Sequence, residues 1–237
     1  IVARTGTTLP SYSSYLFEDY TQCTSIDLSN ADSKSVRSTA YMFYNCKSLE
    51  NIDLSGFDAS HVADMSFMFF NCKKLTELDL NSFSTPAVTN ITKMFCNCES
   101  LETLDLSSFD IRNVTNDNYL FLGCNKISEL RLGSYFEDVI EEHCLSNGPY
   151  GWTKNGSGTT VSGSGTYAVI YNQGENTYKC NRSGGSNTVT ITIWPGTGSG
   201  SLIYQQAVIG STFTFPQCSF TPPEGYIFEK WYSVGRY

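Results

Sequence analysis

The chain has 237 residues, a formal net charge of -8, only 16% charged residues and 14% aromatics. Residues 1–145 hold 20 acidic and 10 basic side chains, and residues 146–237 hold 3 and 5, so the acidity sits in the first part. Such a surface repels phosphate backbones and anionic lipid, which argues against nucleic acid and membrane-surface partners. The apolar content argues against disorder. No stretch of about 18 apolar residues is present to cross a bilayer, and the start at Ile1 reads as a trimmed mature fragment.

Residues 1–24, with Tyr12, Tyr15, Leu16 and Phe17, are expected to cap the first of a series of repeats. From residue 25 a phrase returns every 26 residues, at Asp27-Leu28-Ser29, Asp53-Leu54-Ser55, Asp79-Leu80-Asn81 and Asp105-Leu106-Ser107, with Arg131-Leu132-Gly133 on the next step. Cys46, Cys72, Cys98 and Cys124 keep the interval, as do Phe43, Phe69, Phe95 and Phe121. A repeat specified at six or more positions signals stacked units, none of which can bury its own apolar face alone.

Within a unit, Val62, Met65, Met68, Phe69 and Cys72 recur at helical spacing, and Leu75-x-x-Leu78-x-Leu80 follows with strand alternation. Thr85-Pro86 has the character of a helix N-cap followed by proline at the first helical position. One helix and one strand per unit is the leucine-rich-repeat plan. The expected fold class is therefore α/β: a leucine-rich-repeat solenoid of about five 26-residue coils over 25–145. A β-rich cap and linker (146–186) and a small all-β, β-grasp-like domain (187–237) come after it. In that last domain Val189–Ile193, Phe213–Phe215 and Tyr226–Phe228 are the strand candidates.

The phrases Asp53-Leu54-Ser55-Gly56-Phe57-Asp58, Val62 through Phe69 and Asn71-Cys72-Lys73-Lys74-Leu75 resemble those of the BspA-like leucine-rich-repeat family of bacterial surface proteins. The last stretch, with Val189–Ile193, Gly198-Ser199-Gly200, Phe215-Pro216, Pro223-Glu224-Gly225-Tyr226 and Trp231, is similar to the Listeria/Bacteroides repeat, a module resembling internalin B-repeats. The resemblance implies an extracellular, secreted or surface-anchored bacterial adhesin or recognition protein whose partner is a host or microbial surface protein.

Nine cysteines are distributed between the ladder and Cys23, Cys96, Cys144, Cys180 and Cys218. Equivalent ladder side chains on coils about 5 Å apart point in parallel, so buried free thiols are expected there. A Cys144–Cys180 bridge could fasten the cap. Neither Cys96-Asn97-Cys98 nor the neighbours His143 and Cys144 has the ligand set of a metal site or the orienting group of a nucleophile pair. No catalytic residue, metal or cofactor is expected.

The candidate binding residues lie on the outward strand face: Asp27, Asp53, Asp79, Asp105 and Arg131 in one column, with Asn51, Glu77, Thr103 and Glu129 beside them. Stacked carboxylates could recruit a basic partner or a calcium ion, or could bond to neighbouring hydroxyls as a solvated sheet. Trp152, Tyr167 and Tyr171 could instead form an aromatic platform for a glycan, or fill the cap's core. A structural stalk is a further alternative.

Overall fold

The computed structural model describes residues 1–148, 151–155, 160–162 and 165–180, and the backbone of 188–193 and 203–208. The chain divides into two compact units, Ile1–Gly184 and Gly185–Tyr237.

The described residues contain no α-helix; their one helical element is a 3-10 turn at Glu141–His143. Strands, isolated bridges and turns make up the rest, so the fold is not the α/β leucine-rich-repeat solenoid that the periodicity predicts. The backbone amides show why. Thr39, Tyr41, Phe43 and Asn45 donate to the carbonyls of Asp64, Ser66, Met68 and Phe70, one repeat further on. The intervening amides of Met42, Tyr44 and Cys46 close turns on Thr39, Tyr41 and Phe43. A helix would direct every one of these amides to its own fourth preceding carbonyl.

The dihedrals agree. Tyr41 and Asn45 have φ of 60° and 59°, Phe67 and Asn71 58° and 64°, and Lys93 and Asn97 54° and 61°. Two left-handed residues per repeat break any helix, and cross-repeat hydrogen bonds offset their conformational cost. Asn is the side chain that tolerates this region best, and Gly123, at φ 81°, takes the position in the last repeat. Three-residue turns still carry Val62, Met65, Met68, Phe69 and Cys72 into the core. Turns and helix therefore impose nearly the same burial period.

Thr85 likewise departs from its expected N-cap role. It is fully buried, donates from Oγ1 to the Asp110 carbonyl (3.2 Å) and accepts the Asp110 amide (2.8 Å). It is a bracket between repeats, as is Ser33, whose hydroxyl accepts the Asp58 amide at 2.7 Å.

Parallel pairing carries the repeat through space. β1 (Ser25–Asp27) pairs with β2 (Asn51–Asp53), and β3 (Thr103–Leu106) with β4 (Glu129–Leu132), each residue opposite the one 26 positions on. A continuous line of parallel bridges joins Tyr12, Ser38, Asp64, Asn90 and Asn116. The N-terminal segment joins this ladder, since Tyr15, Phe17 and Asp19 donate to Ala40, Met42 and Tyr44. Between β2 and β3, the phrase Glu77–Leu80 is not part of a described strand.

Inside, like stacks on like. Phe17, Phe43, Phe69, Phe95 and Phe121 form a column with successive ring centroids 5.5, 5.4, 6.0 and 6.2 Å apart. Phe57, Phe83 and Phe109 form another. The sheet is extended beyond β4 by the antiparallel strand β6 (Asn176–Cys180) and then β5 (Trp152–Lys154), with Trp152, Ala168, Ile170 and Tyr178 buried in this cap.

In the second unit, β7 (Thr188–Ile193) pairs antiparallel with β8 (Ile203–Val208), from Thr188↔Val208 to Ile193↔Ile203. The expected strands at Phe213–Phe215 and Tyr226–Phe228, and Cys218, lie outside the described residues. Among the described residues no helix is long and apolar enough to cross a membrane.

Candidate functional site

Alternation along β1, β3 and β4 turns Ile26, Leu104, Leu106, Leu130 and Leu132 into the core and leaves the residues between them outward. Those outward side chains line one groove of about 670 Å³. The structure brings into it all nine strand-face residues singled out from the sequence, Asp27, Asn51, Asp53, Glu77, Asp79, Thr103, Asp105, Glu129 and Arg131, together with Ser25, Glu50 and Thr177.

Each column aspartate is held by its own turn. Oδ1 of Asp27 accepts the Ser29 amide at 2.9 Å and its hydroxyl at 2.6 Å. Asp53, Asp79 and Asp105 accept the amides of Ser55, Asn81 and Ser107 at 2.9, 2.9 and 2.8 Å. The Ser29 hydroxyl and amide hold the Asp27 carboxyl below its ordinary range. Among the described residues, Oδ2 of Asp27, Asp53 and Asp79 meets no protein donor, which leaves an acceptor for solvent or ligand.

Charge is unevenly compensated along the groove. At one end Arg131 reaches Asp105 Oδ2 (3.4 Å) and Glu175, and Lys179 pairs with Glu129 (3.2 Å). The remaining rungs carry Asp27, Asp53, Glu77 and Asp79 without such partners among the described residues, and Glu50 pairs with the exposed Lys74. Among the described residues no three His, Cys, Asp or Glu side chains are grouped so as to hold a metal ion.

The aromatic trio does not come together as a platform. Trp152 is fully buried and its indole N–H donates to the Ser146 carbonyl at 3.0 Å. Tyr167 is half-buried, and Tyr171 alone is well exposed, at 72%.

His143 and Cys144 do not form a nucleophile–base pair. Nδ1 of His143 accepts the Ile140 amide (3.3 Å), which puts the proton of the neutral ring on Nε2, 3.0 Å from Asp117 Oδ2. That contact holds the Asp117 carboxyl below its ordinary range. Cys144 is a free thiol that donates to the Glu142 carbonyl, and burial pushes it up, so it is not bridged to Cys180. Asp117 and His143 line a second concavity of about 510 Å³ with Arg112, Tyr135 and Asn172; nothing in their spacing announces the pair.

The 26-residue interval also carries a surface column that the apolar and acidic patterns do not announce: Tyr15, Tyr41, Phe67, Lys93 and Tyr119. Tyr15–Tyr41 and Tyr41–Phe67 stack at 4.8 and 4.5 Å, and the Lys93 ammonium sits 5.4 Å from the Phe67 ring and 5.3 Å from that of Tyr119. The facing ring surfaces are taken up by one another and by the cation, so the column serves cohesion.

Residues 12–134 match the model of a family described as Mycoplasma protein of unknown function, DUF285. No curated protein and no solved structure matches the chain.

Proposed function

The chain belongs to the DUF285 family, and from that premise we propose that it is an extracellular, secreted or surface-anchored bacterial recognition protein. It binds a host or microbial surface protein, as an adhesin, through the groove on its strand face. The observation that carries this reading is the groove itself: outward side chains from five successive repeats gathered into one concave polar surface, three of whose aspartates keep an oxygen without a protein donor among the described residues. Its acidity selects a partner with a basic contact surface. The likeness to BspA-like bacterial surface proteins, and that of residues 187–237 to the Listeria/Bacteroides repeat, supports the location and the role. The second unit acts as a spacer or a second contact.

A structural stalk is the second reading. It is favoured by the Oδ1 bonds of Asp27, Asp53, Asp79 and Asp105, which give each of these residues a turn-forming role without any ligand. The glycan reading loses Trp152, which is buried.

The test is capture by the full chain from epithelial, mucin and matrix extracts, beside the variant Asp53→Asn/Asp79→Asn/Asp105→Asn. Asn keeps the Oδ1 acceptor of each turn and removes the charge. The reading requires an identified protein with a basic contact surface whose binding falls about tenfold or more in the variant and weakens with salt. Binding that the variant leaves unchanged, or no specific capture, refutes it.

A further inference from the structure

The surface column Tyr15, Tyr41, Phe67, Lys93 and Tyr119 changes in chemistry from rung to rung, and phenols occupy neighbouring rungs only at its start. Tyr15 and Tyr41 have φ of 63° and 60°, and the Tyr15 amide donates to the Ala40 carbonyl at 3.1 Å. Like backbone conformations held one rung apart give their side chains the same choice of rotamer. The two rings lie nearly parallel, with centroids 4.8 Å apart and 12° between the planes. At a contact spacing of about 3.5 Å between planes, such a pair is offset by roughly 3 Å, so carbons of one ring lie over carbons of the other.

Tyr41 stands at the junction of three phenols, because the Tyr44 ring lies 5.4 Å from it. Burial, and then the Tyr15 and Tyr44 hydroxyls, push the Tyr41 phenol up, so it keeps its proton at neutral pH. Its far face is covered by Phe67 at 4.5 Å, and the next rung is Lys93. Neither of these side chains can form a phenoxyl radical. Tyr15 is 52% exposed, which opens it to an oxidant in solvent. The other well-exposed tyrosines, Tyr12, Tyr20, Tyr119, Tyr135 and Tyr171, make no ring contact with a second tyrosine among the described residues. Tyr20 packs edge-on against Phe17, Tyr119 faces Lys93, and Tyr135 carries the Arg112 guanidinium.

We propose that Tyr15 and Tyr41 are a site of oxidative cross-linking, at which a haem peroxidase with hydrogen peroxide joins the first repeat to the second through a dityrosine bond. Each phenol gives up one electron and one proton. The two radicals pair through ring carbons next to oxygen, and the hydrogens on those carbons move to the oxygens, restoring both phenols. One hydrogen peroxide takes up the two electrons and two protons and leaves as two waters. Proximity selects the pair: two rings in contact have an effective concentration of roughly millimolar or above, against micromolar for encounters between chains. The exposed Tyr15 ring supplies the rotation that the new bond needs.

The test treats the full chain at micromolar concentration with a haem peroxidase and hydrogen peroxide, beside Tyr15→Phe, Tyr41→Phe and Tyr119→Phe, each of which keeps its ring. The expected result is dityrosine fluorescence in the monomer fraction, a yield unchanged on about tenfold dilution, and a peptide map that joins Tyr15 to Tyr41. Tyr15→Phe and Tyr41→Phe should each lower that fluorescence about tenfold, and Tyr119→Phe should leave it as it is. Circular dichroism of the variants shows that the fold is kept.

Fluorescence that survives Tyr15→Phe, a map that joins Tyr41 to Tyr44 instead, or cross-links found only between chains overturns the proposal. So does a folded chain that yields no dityrosine while the peroxidase couples free tyrosine in the same tube.

Discussion

The thiol of Cys72 donates to the carbonyl oxygen of Phe43, 3.2 Å away and in the preceding repeat. Cys46, Cys98 and Cys124 make the same bond to Phe17, Phe69 and Phe95, at 3.1, 3.2 and 2.8 Å. The cysteine at this position is therefore a small apolar filler with one hydrogen bond to a core carbonyl, which explains why each repeat places a thiol rather than an alkyl group there.

Burial pushes the Cys46 thiol up to about 12 and Cys96 to about 11 and holds Cys72 well above the ordinary thiol range; the hydrogen bond with the Cys124 thiol, and then burial, hold Cys98 there as well. The thiolate is the reactive form. Alkylation of the folded chain at about pH 8, mapped by mass spectrometry, should label the half-exposed Cys23 and spare Cys46, Cys72, Cys96 and Cys98 until denaturant is added. Labelling of Cys72 in the folded protein would contradict the ladder.

Thr85 joins two repeats through both a donated and an accepted hydrogen bond. Thr85→Val keeps the shape and strands the Asp110 amide and carbonyl, so stability should fall by about 1–3 kcal/mol. Thr85→Ser, which keeps the hydroxyl, should cost less. Urea midpoints measure both. If Val is no worse than Ser, the bracket does not contribute.

Gly123 occupies the left-handed position that Asn45, Asn71 and Asn97 hold in earlier repeats. A Cβ there would lie 2.2 Å from Asn97 Oδ1. Gly123→Ala should cost at least about 1–3 kcal/mol from the backbone alone. Gly123→Asn should cost less although it is larger, because Asn tolerates left-handed φ and can bond in the amide ladder, as Asn71 donates to Asn45 at 2.6 Å. Thermal melts of the two variants give the order, and Ala melting above Asn would reverse the argument.

Acid should destabilise the first unit in a defined window. The carboxyls of Asp27, Asp58, Asp110 and Asp117 are all held below the ordinary aspartate range, through the hydroxyl of Ser29, the hydroxyl of Ser60, the guanidinium of Arg112 and the imidazole of His143 respectively. A carboxyl whose pKa is lower when folded adds stability that is complete above its unfolded value and disappears as pH falls through the folded one. The contribution of these four groups should therefore hold down to about pH 5 and decline below about pH 4. Asp110→Asn should make the acid limb shallower in urea midpoints taken across that range. An acid limb that Asp110→Asn leaves as steep would remove Asp110 from the account.

The repeat length, the residues that face inward and those that face the groove were legible in the amino-acid order. Columns such as Phe43–Phe69–Phe95 and Asp27–Asp53–Asp79 need only a fixed interval and the alternation of side chains along a strand. The same interval carries Tyr15–Tyr41–Phe67–Lys93–Tyr119, which is harder to read because a lysine interrupts its aromatic pattern.

What the chain order could not decide is how the backbone of each repeat satisfies its amides. Val62, Met65, Met68, Phe69 and Cys72 are buried at the same spacing by a helix or by successive three-residue turns. Only the neighbouring repeat, placing the Ser66 and Met68 carbonyls within reach of the Tyr41 and Phe43 amides, makes turns with left-handed residues the outcome. Contacts between parts distant in sequence, such as His143 with Asp117 or the burial of Trp152, were likewise settled by tertiary packing. Side-chain pattern records which face is apolar; the partner of each polar group is fixed only when the repeats meet.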